Sequence, residues 1–415
     1  MTSATNSWTN WGQNQTFVPT KRQRAYSAED VVNLVSSAAH NGSTVRAAGS
    51  GHSYTPVVET QTLIDISPMS GLIRIDPEKN IATIAAGTCL KDMGRLLWEA
   101  GYSTLNQGDT DAQTIAGATA TGTKGSGARF GSLSSAITGM RVVTASGETV
   151  NIDESTPQLL RAAQVSIGLL GVVTEIDLRV TPAYCLKEDN TVLHVDDLID
   201  RWDDCVEQYR HFSFFWAPTD ASSVLYDLPA IPADHAWVKF LAEVPKLDEN
   251  GSERPSIAGE WGNRTGHSHL VYPDISDAEG SGYVELEYMV PAHEGRDAFL
   301  AVRDLMLHKF PEELSPVQVR WQQRDNAYLS AQYEQDTVSI SVSGLLTRDY
   351  HSFLKAVDHV LQQWDARPHW GKMHYLDARR VRALYPALDK FLEIRQKFDP
   401  DGIFLNNHFR EMFDI

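Results

Sequence analysis

The chain has 415 residues, of which 42% are hydrophobic and 22% charged, so it can bury a large core and divide into two or three domains. Its net charge of −18 repels nucleic-acid backbones and anionic membrane surfaces, and we predict neither as a partner. Three cysteines without a CxxC spacing exclude a disulfide scaffold and a cysteine-rich metal cluster, and they indicate a reducing, cytoplasmic compartment. No metal site, secretory leader or transmembrane segment is predicted.

The first 180 residues alternate between helical and strand-like patterns. Ser27 and Asp30 have the spacing of a helix N-terminus, and apolar residues recur at helical intervals from Val31. A second helix is predicted at 90–100. Strand-like runs lie at 44–48, 62–66, 72–75, 81–84, 140–145, 149–152 and 175–180. This alternation predicts an α+β fold for the first half.

The second half has a different residue pattern, which predicts longer amphipathic helices and one aromatic strand. Residues 212–216 are predicted as a strand whose aromatic side chains form sheet core, and residues 247–282, rich in Gly, Ser and Pro, as a long loop. Further strands are predicted at 283–290, 317–321 and 337–342, and helices at 202–209, 297–307, 352–364 and 378–398.

Two glycine-rich segments suggest a ligand site. Gly49-Ser50-Gly51-His52-Ser53 follows a predicted strand and differs from the GxGxxG dinucleotide fingerprint; it is either an ordinary tight turn or a loop whose N–H groups face an anion. The segment 114–127 has almost no large side chains, so its backbone can approach a ligand closely. Two such segments in one domain predict a ligand with several phosphates or a large flat cofactor.

Several segments carry a family resemblance, above all the early GSGHS and the late Arg367-Pro368-His369-Trp370-Gly371-Lys372. The others are 106–109, 114–127, 166–174, 385–386 and 405–406. Together they resemble the FAD-linked oxidoreductases of the vanillyl-alcohol-oxidase/PCMH type, and within these the aldonolactone (L-gulono-1,4-lactone and D-arabinono-1,4-lactone) oxidase/dehydrogenase branch, with alditol oxidases as close relatives. The resemblance implies a PCMH-type FAD-binding domain at 1–182, joined by the C-terminal segment 366–415, and a mixed α/β cap domain at 183–365.

The resemblance also implies how FAD is held. His52 matches the histidine that many members link covalently to the flavin 8α-methyl; the alternative is a histidine that only packs on the ring. Related oxidases attach the flavin a second time through a cysteine in the second glycine-rich segment. No cysteine lies between Gly101 and Val180, so this second covalent link is excluded. The implied cofactor-binding residues are His52, Arg46, Gly49, Ser50, Gly51, Ser53, Gly117, Thr121, Gly122, Lys124, Gly125, Ser126, Gly171, Val172, His369 and Asn406.

The implied catalytic residues are Arg320 and Lys372, which in relatives hold the substrate over flavin N5 and favour a developing alkoxide. Gln318 lies two residues before Arg320 on a strand, so both face the same side. Relatives usually have Glu-x-Arg, and Gln318 cannot accept a proton; Asp109 is a candidate for the missing carboxylate. Lys124 replaces the histidine of the usual GTHG, and it either binds phosphate or points to solvent.

The resulting hypothesis is an FAD-dependent oxidoreductase that oxidises an alcohol of a sugar-derived substrate, foremost an aldono-1,4-lactone, by hydride transfer to flavin N5. Dioxygen or another acceptor would reoxidise the flavin. An alditol oxidase, or a specialised tailoring or catabolic oxidase of another alcohol or an amine, is the alternative. A flavin-binding protein without catalysis is a third reading, which the retained Arg320 and Lys372 oppose.

Overall fold

The computed structural model describes residues 7–274 and 282–415. Its N-terminal elements are β1 (Trp8–Thr9), β2 (Thr16–Phe17), β3 (Lys21–Arg24), α1 (Ala28–His40), β4 (Val45–Ala48), β5 (Thr62–Asp65), β6 (Leu72–Asp76), β7 (Ile81–Ala85), α2 (Leu90–Glu99), β8 (Tyr102–Thr104), α3 (Ile115–Ala120), β9 (Ile137–Val143), β10 (Thr149–Asp153), α4 (Pro157–Gln164) and β11 (Val172–Pro182).

The remaining elements begin at Cys185. They are β12 (Cys185–His194), α5 (Val195–Asp200), α6 (Trp202–Gln208), β13 (His211–Ala217), β14 (His235–Val244), β15 (Ile257–Ala258), β16 (Thr265–His267), α7 (Ser268–Val271), β17 (Tyr283–Pro291), α8 (Gly295–Lys309), β18 (Val317–Gln322), β19 (Thr337–Leu345), α9 (Tyr350–Leu361), β20 (Arg367–Pro368), α10 (Ala378–Leu384), α11 (Leu388–Phe398) and α12 (Asn407–Phe413). Short 3₁₀ turns lie at Leu133–Ala136, Ser222–Tyr226, Ala292–Glu294 and Gln362–Trp364.

The N-terminal half is built on two sheets. Strands β3, β5 and β4 form a parallel sheet, and the order β10-β9-β11-β7-β6, with β8 on β11, forms an antiparallel one. Helix α1 begins with the predicted capping box of Ser27 and Asp30 and buries Val31, Val35 and Ala38. Helices α10 to α12 return to this half, where Val381, Phe391 and Phe409 join its core. The domain boundaries near 182 and 366 stay a prediction, which this packing supports.

The second half is one large sheet with two chemically different faces. Its order is β15-β16-β12-β14-β13-β18-β19-β17-β20. One face is apolar and packs against helices α8 and α9, with Phe214, Val319 and Ile340 in its core. As predicted, the aromatic strand β13 is sheet core, although Phe215 lies in a separate cluster from Phe212, Phe214 and Trp216.

The opposite face carries the polar residues, because side chains alternate along a strand. Gln318 pairs with Ser341, and Arg320 pairs with Ser339. Ser341 in turn pairs with Glu287 of β17. Three adjacent strands therefore bring polar and charged side chains onto one buried face.

The glycine-rich segment 114–127 contains the short helix α3, which Thr114 caps. Two predicted elements need correction. The helix predicted at 378–398 is interrupted between α10 and α11, where Pro386 lacks the N–H that a continuous helix requires. The long loop at 247–282 contains β15, β16 and α7, and its residues 275–281 lie outside the described part of the chain.

Within residues 7–274 and 282–415, no helix has the length and apolarity that a membrane span requires. In the same ranges, no three His, Cys, Asp or Glu side chains converge as a metal site would need. Cys89, Cys185 and Cys205 are free thiols.

Candidate active site

A long cleft, here called the glycine-lined cleft, runs through the N-terminal half. Its walls come from 46–53, from α3 and the residues around it, and from 166–173, with Phe404 of the C-terminal segment. Counting the open space at its mouth, the cleft contains about 920 Å³ of empty volume. Backbone and small side chains form much of its surface, so a large flat ligand can lie directly against the main chain.

Glycines are required where the walls meet. A Cβ atom at Gly49 would lie 2.0 Å from Thr114 Oγ1, and one at Gly171 would lie 2.3 Å from the carbonyl oxygen of Val143. Gly171 also has φ +142°, a conformation that side chains disfavour. The approach of Gly49 to Thr114 brings the two predicted glycine-rich segments together at one cleft.

Arg46 fixes the base of the cleft. Its guanidinium donates to the carbonyl oxygens of Phe404 and Ile167 and lies 4.8 Å over the Phe409 ring. Burial lowers the pKa of Arg46 to about 9, although Asp399 opposes the shift. Arg46 therefore joins the C-terminal segment to the wall of the cleft.

His52 lines both the glycine-lined cleft and a second cavity. This second cavity, here called the polar pocket, contains about 630 Å³ of empty volume, counting the open space at its mouth. Its lining residues are Trp11, His52, Tyr54, Gly108, Asp109, Thr110, Gln113, Thr123, Lys124, Tyr283, Glu285, Glu287, Gln318, Arg320, His369 and Lys372. Gln113, like His52, lines both cavities. Burial and then the charge of Lys372 lower the pKa of His52 to about 4, so its imidazole is neutral at pH 7.

The predicted catalytic residues meet in the polar pocket. Asp109 Oδ2 accepts hydrogen bonds from Gln318 Nε2 at 2.6 Å and from Arg320 Nη1 at 2.8 Å. Arg320 Nη2 donates to Glu287 Oε1 at 2.5 Å. Burial opposes ionisation of Asp109, but Arg320 together with Lys239, Gln318 and Lys124 outweighs it, so the pKa of this carboxyl lies below its usual value. Arg320 is thus a fixed cation between two carboxylates.

Lys124 differs from both of its predicted placements. It is 2% exposed, so it does not point to solvent. Its Nζ contacts Glu287 Oε1 and lies 2.7 Å from Ser339 Oγ, in the polar pocket rather than in the glycine-lined cleft. Burial and then Arg320 lower the pKa of Lys124 to about 7, while Arg320 and Lys124 together overcome the burial of Glu287 and hold its pKa low.

Lys372 and Glu285 form a further ion pair beside His52. Lys372 Nζ contacts Glu285 Oε2 and lies 5.2 Å from the centre of the Tyr54 ring. Burial and then Lys124 lower the pKa of Lys372. His369 supports this region through its backbone, since its N–H donates to the Glu287 carbonyl oxygen at 2.9 Å.

The implied cofactor residues fall into three groups. The glycine-lined cleft contains Arg46, Gly49, Ser50, Gly51, His52, Ser53, Gly117, Thr121, Gly171 and Val172. The polar pocket contains Lys124 and His369 as well as His52. The residues lining neither cavity are Gly122, Gly125, Ser126 and Asn406.

Three of these residues make contacts within the protein, and their role in holding FAD stays a prediction. Gly125 and Ser126 pack beneath Tyr272, whose hydroxyl oxygen lies 2.6 Å from the Ser126 nitrogen. Asn406 caps α12 and donates to the carbonyl oxygens of Pro56 and Glu59, so its amide serves the fold.

Sequence reasoning did not single out Glu285, Glu287 and Trp11. Glu285 and Glu287 lie two apart on a predicted strand, which places both on one face. Two acids on one face of an otherwise apolar strand were a usable signal of a polar site. Trp11 lies in an N-terminal segment whose composition suggested nothing beyond a polar character.

Comparisons with known proteins give a consistent set of relatives. Residues 23–153 match the family described as FAD binding domain, and residues 281–412 match the family described as D-arabinono-1,4-lactone oxidase. The chain is 31% identical to the L-gulono-1,4-lactone dehydrogenase of Mycobacterium tuberculosis over 98% of each chain. It is 25% identical to the L-gulonolactone oxidase of Bos taurus over 97% of each chain. It is 27% identical to the alditol oxidase of a Streptomyces species over 98% of this chain and 99% of that protein.

The fold also has relatives among solved structures. The cholesterol oxidase of B. sterolicum aligns with a TM-score of 0.82 at 15% identity, over 98% of this chain and 96% of that one. This likeness, with the matched FAD-binding domain, confirms the predicted α+β fold class.

Proposed function

This chain belongs to the family of FAD-dependent oxidoreductases that contains the aldonolactone oxidases and dehydrogenases, as the resemblance predicted, and on that premise we propose that it oxidises an alcohol group of an aldono-1,4-lactone. The observation that carries the proposal is that His52 lines both cavities, a cleft suited to FAD and a pocket of paired charges. A reducing, cytoplasmic location belongs to the same proposal, and the free thiols support it.

The residues of the glycine-lined cleft would hold FAD, and His52 would be its covalent attachment point. When bound, FAD supplies the hydride acceptor for the carbinol carbon of the substrate. The side chains of the polar pocket do the rest: they orient the substrate and stabilise the charge that develops on its oxygen. Arg320 and Lys372 are the cations that we assign to this oxygen. We assign the acceptance of the substrate hydroxyl proton to the Lys372–Glu285 pair, because this pair lines the pocket beside His52.

The charge balance of the polar pocket favours a neutral substrate. Each of its cations is already in an ion pair: Lys124 with Glu287, Arg320 with Asp109 and Glu287, and Lys372 with Glu285. A lactone adds no charge to this set, whereas an open-chain aldonate would add a carboxylate to a buried site whose cations are paired. The net charge of −18 further disfavours the approach of anions.

A panel of substrates with two kinds of electron acceptor tests the proposal. We expect turnover with one or more aldono-1,4-lactones and little with the corresponding aldonates, measured with dioxygen and with an artificial acceptor. Turnover of alditols with inactive lactones would select the alditol oxidase alternative, which the similarity to the Streptomyces alditol oxidase favours. A protein that binds FAD and turns over nothing in the panel would contradict the proposal.

Gln318 is a separate test of the pocket. Its Nε2 donates to Asp109 at 2.6 Å, so Gln318→Glu places two carboxylates in contact. We expect the KM for the lactone to rise by about 10-fold to 100-fold, since one good hydrogen bond to a charged group is worth roughly 1.5–3 kcal/mol. The exposed neighbour on the same chain segment, Gln323→Glu, is the control. Unchanged kinetics on every substrate would show that Gln318 does not shape the pocket.

A further inference from the structure

We propose that the N-terminal segment Asn10–Gln15 belongs to the His52 site, where it holds the imidazole in place through Trp11, and that covalent attachment of FAD depends on this contact. The inference rests on the proposed attachment through His52 and goes beyond it. It assigns a role in forming the holoenzyme to a segment that is remote in sequence from His52 and from the catalytic residues.

The segment grips the loop that carries His52. Trp11 N–H donates to the Gly51 carbonyl oxygen at 2.8 Å, and Asn10 Nδ2 donates to the Ser53 carbonyl oxygen at 2.9 Å. Asn14 Nδ2 and Gln15 Nε2 both donate to the Tyr54 carbonyl oxygen, at 2.8 and 3.0 Å. The carbonyl groups on both sides of His52 are thereby fixed, and each bond comes from within one short segment.

The segment is itself rigid. Strands β1 and β2 pair on either side of it, and the Asn10 side chain spans it by accepting from the Gln15 N–H at 2.9 Å and donating to Asn14 Oδ1 at 2.7 Å. Asn10 is 3% exposed. A buried, fully bonded asparagine at its centre makes the turn a fixed support rather than a loose tail.

Trp11 carries the contact to the imidazole. Its ring stacks on the His52 ring with centroids 4.9 Å apart and an angle of 21° between the planes. On another side it meets Tyr283 of β17 edge-on at 6.4 Å, next to the strand position of Glu285. The Trp11 ring therefore packs between the imidazole and the large sheet. This packing restricts the rotation of the imidazole and its contact with water.

Covalent attachment needs a neutral and correctly aimed ring nitrogen. His52 forms a C–N bond to the 8α-methyl carbon in place of one C–H bond, and its own N–H proton is released. The methyl carbon loses two electrons, which dioxygen accepts together with two protons to become hydrogen peroxide. Burial, and then the charge of Lys372, keep the imidazole of His52 unprotonated; the other titratable groups that line the polar pocket beside it are Tyr54, Asp109, Lys124, Tyr283, Glu285, Glu287, Arg320 and His369. Removing the Trp11 ring would admit water beside His52 and let the imidazole rotate away from the orientation that attachment requires.

The test uses purified apoprotein mixed with FAD in air. Flavin that stays with the acid-precipitated pellet is covalent, and flavin in the supernatant is not. We expect Trp11→Ala to slow covalent incorporation by about 10-fold to 100-fold, the scale of a misplaced reacting group, while total FAD binding stays near that of the wild type because the cleft walls are intact. Trp11→Phe, which keeps a ring, is expected to restore most of the rate.

The pH dependence of covalent incorporation distinguishes a lost orientation of His52 from a general destabilisation of the fold. In the wild type, incorporation is expected to fall only as the pH drops through about 4, where His52 becomes protonated. In Trp11→Ala the same limb is expected to move upward, toward the value of about 6.5 for an exposed histidine. Trp8→Phe alters a nearby ring, just before the segment, that contacts Phe17 at a tilted angle instead of His52, and it should leave both rate and profile unchanged.

Two results would overturn the inference, and they differ. A wild type that releases all its flavin on acid precipitation refutes attachment through His52, although lactone oxidation would stand. A Trp11→Ala variant with the wild-type rate and pH profile refutes the role of Trp11 alone. Trp11→Leu provides a second ringless variant if Trp11→Ala does not fold.

Discussion

Replacing Arg320 with lysine is expected to lower kcat for the lactone by about 10²-fold to 10³-fold, the usual cost of losing one preorganised donor at a developing oxyanion. Arg320 reaches Asp109 with one guanidinium nitrogen and Glu287 with the other. A lysine keeps the charge but has a single ammonium, which cannot hold both carboxylates in this forked geometry. The cation would settle on one partner and leave the position that faces the substrate.

Steady-state kinetics and flavin content measure this effect together. Bound FAD should be unchanged, because Arg320 lies in the polar pocket and not among the residues of the glycine-lined cleft. Arg324→Lys, an exposed change four residues on, is the matched control and should keep full activity. A kcat for Arg320→Lys within about twofold of the wild type would contradict the assigned role.

The Glu287→Gln variant is expected to lose about 3–5 kcal/mol of unfolding free energy, as when one partner of a buried ion pair is removed. Glu287 is 1% exposed and is bound by both Lys124 and Arg320. Without the Glu287 charge, the buried cations Lys124 and Arg320 lie close together, and Asp109 is the carboxylate left to compensate them. Urea unfolding measures the loss.

A second change tests the same explanation in the opposite direction. Adding Lys124→Met to Glu287→Gln removes one of the uncompensated cations, so part of the lost stability should return. Glu243→Gln is the control, because Glu243 forms an exposed pair with Arg210 whose loss should cost at most about 1 kcal/mol. A Glu287→Gln protein as stable as the wild type, or a double variant less stable than the single one, would contradict the buried network.

The parts of the site that could be predicted from the sequence are those encoded in short stretches of chain. The GSGHS segment identified His52, the spacing of Gln318 and Arg320 placed both on one strand face, and the late RPHWGK segment identified Lys372. Each of these features depends on residues close in sequence. The family resemblance then predicted that they meet, and the structure brings them to one pocket.

The remaining features depend on contacts between distant segments. Lys124 meets Glu287 across 163 residues, and nothing near either one predicts the pair. Trp11 reaches His52 only because β1 and β2 turn the N-terminal segment over the cleft loop. The error in the helix predicted at 378–398 has a local cause, because the apolar periodicity continues through Pro386, where the helix is interrupted.

The central claim is that FAD held in the glycine-lined cleft accepts a hydride from a neutral sugar lactone bound in the polar pocket. The most direct measurement is rapid mixing of the oxidised, FAD-loaded protein with an aldono-1,4-lactone without oxygen, following the visible absorbance of the flavin. We predict that the absorbance bleaches in a single turnover, and that deuterium on the carbinol carbon slows the bleaching. Flavin that stays oxidised with every aldono-1,4-lactone, or bleaching that is insensitive to this deuterium, would contradict the claim.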